Sequence, residues 1–217
     1  MTTRGTFCTG PVHAARHAAR ALGTAHAVRM LTTAVLLAVA SGACAGPRLF
    51  VNKKADLGYY QRIAIVPFAN LTNDANAGER VTRAFLTELV IAERFQIVEP
   101  GEFHGMLDRI GGLPDAQGHA DPKKLAEAST AAQATGFIRG AVTEYTVQRN
   151  GSDEIPVITF DAEMVDVATL ETVWRITVSE RGRGRMPMLG GNSRRSFGMV
   201  TQDACRKAVK ALKKEAF

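Results

Sequence analysis

The chain has 217 residues, 46% hydrophobic and 22% charged, with a formal net charge of +6 and a sequence pI near 9.5. Much of that basicity sits at one end. Residues 1 to 43 hold four arginines and no acid, so without them 23 basic residues face 21 acidic ones, a net +2 that is poor support for a nucleic-acid partner.

In chain order the first signal is Arg29, then an uncharged apolar run from Met30 to Ala40, then Ser41-Gly42-Ala43-Cys44. Positive charge held on the cytosolic side, a short apolar helix and small residues that fit a peptidase make an export signal. The run has 11 residues, whereas a stable span needs roughly 20. It reads as a signal core; the bland alternative is a buried helix. Arg4, Arg16 and Arg20 precede it with no acid, which suits an extended positive leader or a start codon assigned too early. The small-residue run resembles the lipobox of bacterial lipoproteins. That resemblance implies acylation of Cys44, which becomes the first mature residue, and no cofactor beyond that covalent lipid. Ser41 stands where the family usually has an aliphatic residue, and ordinary cleavage nearby without lipidation is the alternative. Cys8 falls in the leader and Cys205 is left alone, so a disulfide framework is excluded and Cys205 reads as a core thiol. The 174 residues from Cys44 suit one domain that needs no disulfide or metal for stability.

The sequence divides into a leader (1–43), a lipidated end and tether (44–61) and one domain (62–217). Residues 45–61, with Asn52-Lys53-Lys54, lack a clear period and are expected to be the tether. Ile63 to Phe68 is apolar on both phases, as in a strand covered on both faces, with Pro67 at its end. Ala69 to Asp74 supplies turn chemistry. Val81, Phe85, Leu89 and Ala92 then form a helical stripe within about Asn76 to Arg94, and a short strand is expected over Phe95 to Val98. Pro100 opens a second helix through Ile110. Asp121 as cap and Pro122 in the first turn open a third, to about Thr135.

After Gly136 the period changes to two. Phe137 to Arg149, Ile155 to Val167 and Thr172 to Arg181 are expected as an antiparallel meander, with Asn150-Gly151 at the first turn in a connection longer than the tightest type. An Arg- and Gly-rich loop, 182–192, leads to a last helix from about Ser193 to Glu215. The order β-α-β-α-α-β-β-β-α predicts an α/β (α+β) fold with helices packed on a mixed sheet.

Ile63-Ala64-Ile65-Val66-Pro67-Phe68-Ala69-Asn70, Arg94-Phe95-Gln96-Ile97-Val98-Glu99-Pro100, Gly136 to Tyr145, Met164 to Thr169 and Trp174 stand in a familiar sequence. Over about residues 60 to 215 the chain resembles the periplasmic superfamily that contains the curli assembly/transport channel subunit, the penicillin-binding-protein activator lipoproteins and the amino-terminal domain of the Tol translocation protein. These are framework motifs and imply fold more than function. The resemblance implies a periplasm-facing, outer-membrane lipoprotein that binds envelope proteins as an assembly or regulatory factor, with homo-oligomers in view. Two departures stand out. Leu170 replaces the Gly common in the Thr169-Leu170-Glu171 turn and gives up easy positive φ, so that turn is expected to differ in type. No long alternating hairpins for a barrel are present, which disfavours an autonomous pore.

Chemistry is sparse. Asp161 and Glu163 share a strand face and could form an acid/base pair, but read more simply as a solvated face. His104 and His119 lack metal-ligand spacing. No nucleophile elbow or phosphate loop occurs, so catalysis has no support. Arg181, Arg183, Arg185, Arg194 and Arg195, with Arg206, Lys207, Lys210, Lys213 and Lys214 on the last helix, form a basic pattern. They could contact anionic envelope partners or serve only to hydrate a helix and complement its dipole. Three readings follow: an envelope lipoprotein that binds proteins, a subunit of a secretion channel, and a cytosolic nucleic-acid binder, the last disfavoured by the export signal.

Overall fold

The structure, a computed structural model, describes residues 46–115, 118–150, 153–182 and 196–216. Its strands are β1 (Arg48–Val51), β2 (Arg62–Ile65), β3 (Ala69–Asn70), β4 (Gln96–Ile97), β5 (Gly136–Asn150), β6 (Asp153–Asp166) and β7 (Thr172–Arg181). Its helices are α1 (Ala77–Ala92), α2 (Pro100–Arg109), α3 (Pro122–Ala131) and α4 (Phe197–Ala216). Across the sheet the order is β1-β7-β6-β5-β2-β4, with β3 also beside β5. β2 runs parallel to β4 and β5, whereas each neighbouring pair among β5, β6, β7 and β1 is antiparallel. The expected mixed sheet, meander and packed helices are all present.

Local chemistry sets the helix ends. Glu99 accepts from the Glu102 N–H at 2.8 Å ahead of Pro100, and Asp121 accepts from the Lys123 N–H at 2.9 Å ahead of Pro122. On one side of the sheet α1 and α4 bury Phe85, Leu89, Val200, Cys205 and Leu212 against Ile138, Phe160, Met164 and Trp174. On the other, α2 and α3 bury Phe103, Leu107 and Leu125 against Ala64, Val66, Phe137 and Val165. Gly140 allows the tight fit of the first layer: a Cβ there would lie 2.3 Å from the Asp161 carbonyl and 3.1 Å from the Phe68 ring. A bulge between Val142 and Glu144 shifts the register of β5. It turns Tyr145 inward, where its ring stacks on Phe197 at 4.7 Å.

Four sequence expectations need correction. Arg48–Val51, expected to lie in the tether, is an edge strand paired from Arg48↔Thr177 to Val51↔Trp174. Four residues are too short a run for their alternation to stand out. Ala69–Asn70, expected as part of a turn, pairs with Ala141 and Val142 as β3. The β5–β6 pairing reaches Asn150↔Asp153, so the connection is shorter than the one expected. Leu170, finally, holds φ +59°, the left-handed conformation it was expected to avoid.

Asp166 explains why Leu170 is held there. Its Oδ1 accepts from the backbone N–H groups of Ala168 at 2.9 Å and Thr169 at 2.6 Å and from the Thr169 hydroxyl, and its Oδ2 accepts from the Tyr60 hydroxyl at 2.8 Å. Burial pushes this carboxyl upward, but the donors from Thr169, Tyr60 and Ala168 outweigh it and hold it below the usual carboxylate range. The Leu170 N–H closes the turn on the Asp166 carbonyl at 3.0 Å. A non-glycine residue in this conformation costs about 1–2 kcal/mol, offset in glycine by greater chain entropy. Leu170→Gly is therefore expected to stabilise the domain by about 0.5–1 kcal/mol, read as a higher midpoint in urea unfolding at unchanged slope.

Candidate functional site

The helices α2 and α3 cover the parallel part of their side of the sheet and the end of β6 at Val165. Beyond them, Arg175, Thr177 and Ser179 of β7 are exposed, Thr159 and Asp161 of β6 are half-buried and Glu163 is buried, and the site is built from this part of the face.

Cross-strand register brings four charges together. Arg139 on β5 is paired with Glu163 on β6, which is paired with Arg175 on β7, and Asp161 lies one pleat along β6. Glu163 is the centre: its Oε1 accepts from Arg139 Nε at 2.7 Å, and its Oε2 lies 3.8 Å from Arg175 Nη1 and accepts from the Thr172 hydroxyl at 3.3 Å. Arg175 Nη2 also donates to Asp161 Oδ2 at 3.2 Å. The Glu163 side chain is 9% exposed and that of Arg175 56%, so the carboxylate is fixed inside while the guanidinium reaches water. A second row lies further along, where the Thr159 hydroxyl bonds to Glu144 Oε2 at 3.2 Å and to Ser179 Oγ at 3.0 Å. Neighbouring charges and hydroxyls satisfy one another, which makes this a rigid polar surface.

Beside the charges lies a groove of about 240 Å³, walled by Pro67, Leu71 and Leu125 and by the 118–120 loop. Gly118 makes that wall possible: at φ +85°, a Cβ there would come 2.4 Å from the Ala69 Cα. The groove thus has apolar walls and a floor that offers both guanidinium donors and carboxylate acceptors.

Asp161 and Glu163 do share a face, as the alternation indicated, but each is tied to arginine and they do not form a free acid/base pair. His119 stands at the groove mouth, its Nδ1 3.5 Å from Asp115, and His104 is exposed on α2. Among the described residues no group of His, Cys, Asp and Glu is placed to hold a metal. Arg181 is exposed at the end of β7, while Arg183, Arg185, Arg194, Arg195 and Cys44 lie outside the described residues. On α4, Arg206 lies 3.1 Å from Asp203 and 3.7 Å from the buried Glu88, and Lys207 pairs with Glu180. Part of the basic pattern is thus spent on internal pairing. Cys205 is fully buried, and burial pushes its thiol up out of the reactive range. The roles of Arg139 and Arg175 were missed in the sequence, because register shifts in β5 and beside β7 decide which residues lie opposite Glu163.

No protein-family model and no curated protein sequence matches the chain. Solved structures do match. A PelC dodecamer from Paraburkholderia phytofirmans superposes with a TM-score of 0.52 at 21% identity, covering 76% of this chain and 95% of that one. Lipoprotein GNA1162 from Neisseria meningitidis gives 0.51 at 17% identity, covering 71% and 99%. The C-terminal domain of LpoB from Escherichia coli gives 0.42 at 14% identity, covering 55% and 82%. The chain shares its fold with lipoprotein GNA1162 and with the PelC protomer, and at these identities the likeness is one of fold.

Removing the central carboxylate leaves two guanidinium groups facing each other without their shared acceptor. Glu163→Gln is expected to cost about 1–3 kcal/mol, whereas Asp161→Asn, at a more exposed pair, costs less than about 1 kcal/mol. Parallel urea titrations of the two variants check this ranking, and equal losses would refute Glu163 as the centre.

Proposed function

We propose that this protein is a non-catalytic lipoprotein of the cell envelope, anchored through Cys44 in the outer membrane and facing the periplasm. Its domain binds other envelope proteins as an assembly or regulatory factor. The observation that carries this reading is the combination of a leader ending in Ser41-Gly42-Ala43 before Cys44 with a fold shared with lipoprotein GNA1162. The open sheet face supports the binding role. It presents paired donors and acceptors fixed by cross-strand contacts beside an apolar groove, the mixture of polar rim and apolar pocket found where proteins dock.

Acylation is the step to test first. A single acyl chain gives marginal membrane binding, and several give firm anchoring, at about 0.8 kcal/mol per buried methylene. Cys44→Ala is expected to lose incorporation of labelled fatty acid and to move from the membrane fraction to the soluble one. A variant that keeps its label and its partition would sink the anchor.

A second reading, a ring-forming subunit of a secretion channel, is favoured by one observation: the PelC structure from Paraburkholderia phytofirmans is a dodecamer, and the superposition covers 95% of its chain. Native mass spectrometry of the lipidated protein in detergent distinguishes the two. The ring reading expects a closed oligomer of defined stoichiometry that conducts ions in a planar bilayer. A monomer that does not conduct removes it.

A further inference from the structure

Residues 45–61, read from sequence as a tether, would reach about 60 Å if extended. In the structure the chain is already locked into the sheet at Arg48. Four residues from Cys44 to Arg48 span no more than about 14 Å, and the three to Pro47 about 10 Å. A domain anchored through Cys44 therefore has almost no leash, and whatever surface surrounds Pro47 is pressed toward the bilayer.

That surface has a particular chemistry. An open groove of about 1070 Å³ runs along the β1 edge, lined by Pro47, Leu49, Phe50, Val51, Ala55 and Leu57, with Ala211 and Lys214 of α4 on its far side. Phe50 is 56% exposed on this edge, next to the apolar lining of the groove. Exposed Arg48, Lys53 and Lys54 surround it. The nearby acid, Asp56, has its Oδ1 turned to the Gly58 N–H at 3.0 Å. Apolar residues flanked by lysine and arginine at the level of an acyl anchor are what an interface of hydrocarbon and anionic headgroups accepts.

We infer that the β1 edge, from Pro47 to Leu57 with the end of α4, is a membrane-docking surface that seats the domain on anionic lipid. The inference rests on the reading of Cys44 as the acyl acceptor. Phe50 enters the headgroup layer, Lys53 and Lys54 engage lipid phosphates, and the groove takes up apolar surface from the bilayer boundary. A second copy of the chain is the competing occupant of an open strand edge, but the short leash and the positive charge both favour lipid.

The test uses the mature, lipidated protein in vesicles of phosphatidylethanolamine and phosphatidylglycerol. Cys205 is fully buried and Cys44 is acylated, so a cysteine placed at Lys53 or, as control, at Glu127 on α3 is the reactive thiol for an environment-sensitive dye. Quenching by a headgroup nitroxide lipid is expected to be several-fold stronger from position 53 than from position 127. It should persist when a flexible Gly-Ser linker is inserted after Gly46, and fall when Arg48→Glu and Lys54→Glu are added to that extended protein. Equal quenching at both positions, or loss of the contrast on linker insertion alone, overturns the docking surface while the anchor stands. Dye self-quenching at position 53 without lipid quenching assigns the edge to a second copy and overturns it as well. Failure of acyl labelling in the same preparation overturns the anchor and, with it, this inference.

Discussion

Everything on the molecule's surface follows from how unequally the two faces of one sheet are covered. α1 and α4 have 16 and 20 residues and seal one face from β5 to β7. α2 and α3 have 10 each, about 15 Å of helix, against a sheet six strands across, or about 24 Å. They cover the parallel half and the end of β6 at Val165. The antiparallel half must therefore present water-compatible side chains on one face while burying Ile158, Phe160, Met164, Trp174 and Ile176 on the other. A charged row such as Arg139, Glu163 and Arg175 is one solution that remains ordered: each cross-strand pair stiffens the face, and the carboxylate is held between two guanidinium groups.

The same asymmetry decides what sequence could reveal. The alternation of Ile158, Phe160, Ala162 and Met164 with Thr159, Asp161 and Glu163 identifies a half-buried strand, and Pro100 and Asp121-Pro122 mark helix starts, because these signals are local. Partners are another matter. Which residue lies opposite Glu163 depends on a bulge after Val142 and on a turn held by Asp166, and neither is written in a period. β1 was illegible for a related reason. Four residues, Arg48 to Val51, become a strand only because Trp174 to Thr177, more than a hundred residues later, offers an open edge. Leu170 shows the reverse case, where a correct local preference is overridden: three hydrogen bonds from the 168–169 segment to Asp166 set the turn, and the side chain accepts the strain.

β1 also links the two surfaces that matter. It closes the sheet next to β7, so Phe50 stands opposite Arg175 at one margin of the open face. The β1 edge and the Glu163 network are therefore parts of one sheet, and orienting one orients the other. With the β1 edge against the bilayer, strands stack away from the membrane in the order β7, β6, β5, and the normal to the sheet lies along the membrane plane. The Glu163 network and its groove then look sideways, at a height of a few strand spacings of about 4.8 Å. A lipoprotein on a long tether can search the depth of the periplasm; one seated on its sheet edge meets only what stands beside it on the same membrane. On the proposed docking, the short run from Cys44 to β1 selects neighbours on the same membrane, other proteins or further copies of this chain, over targets across the envelope.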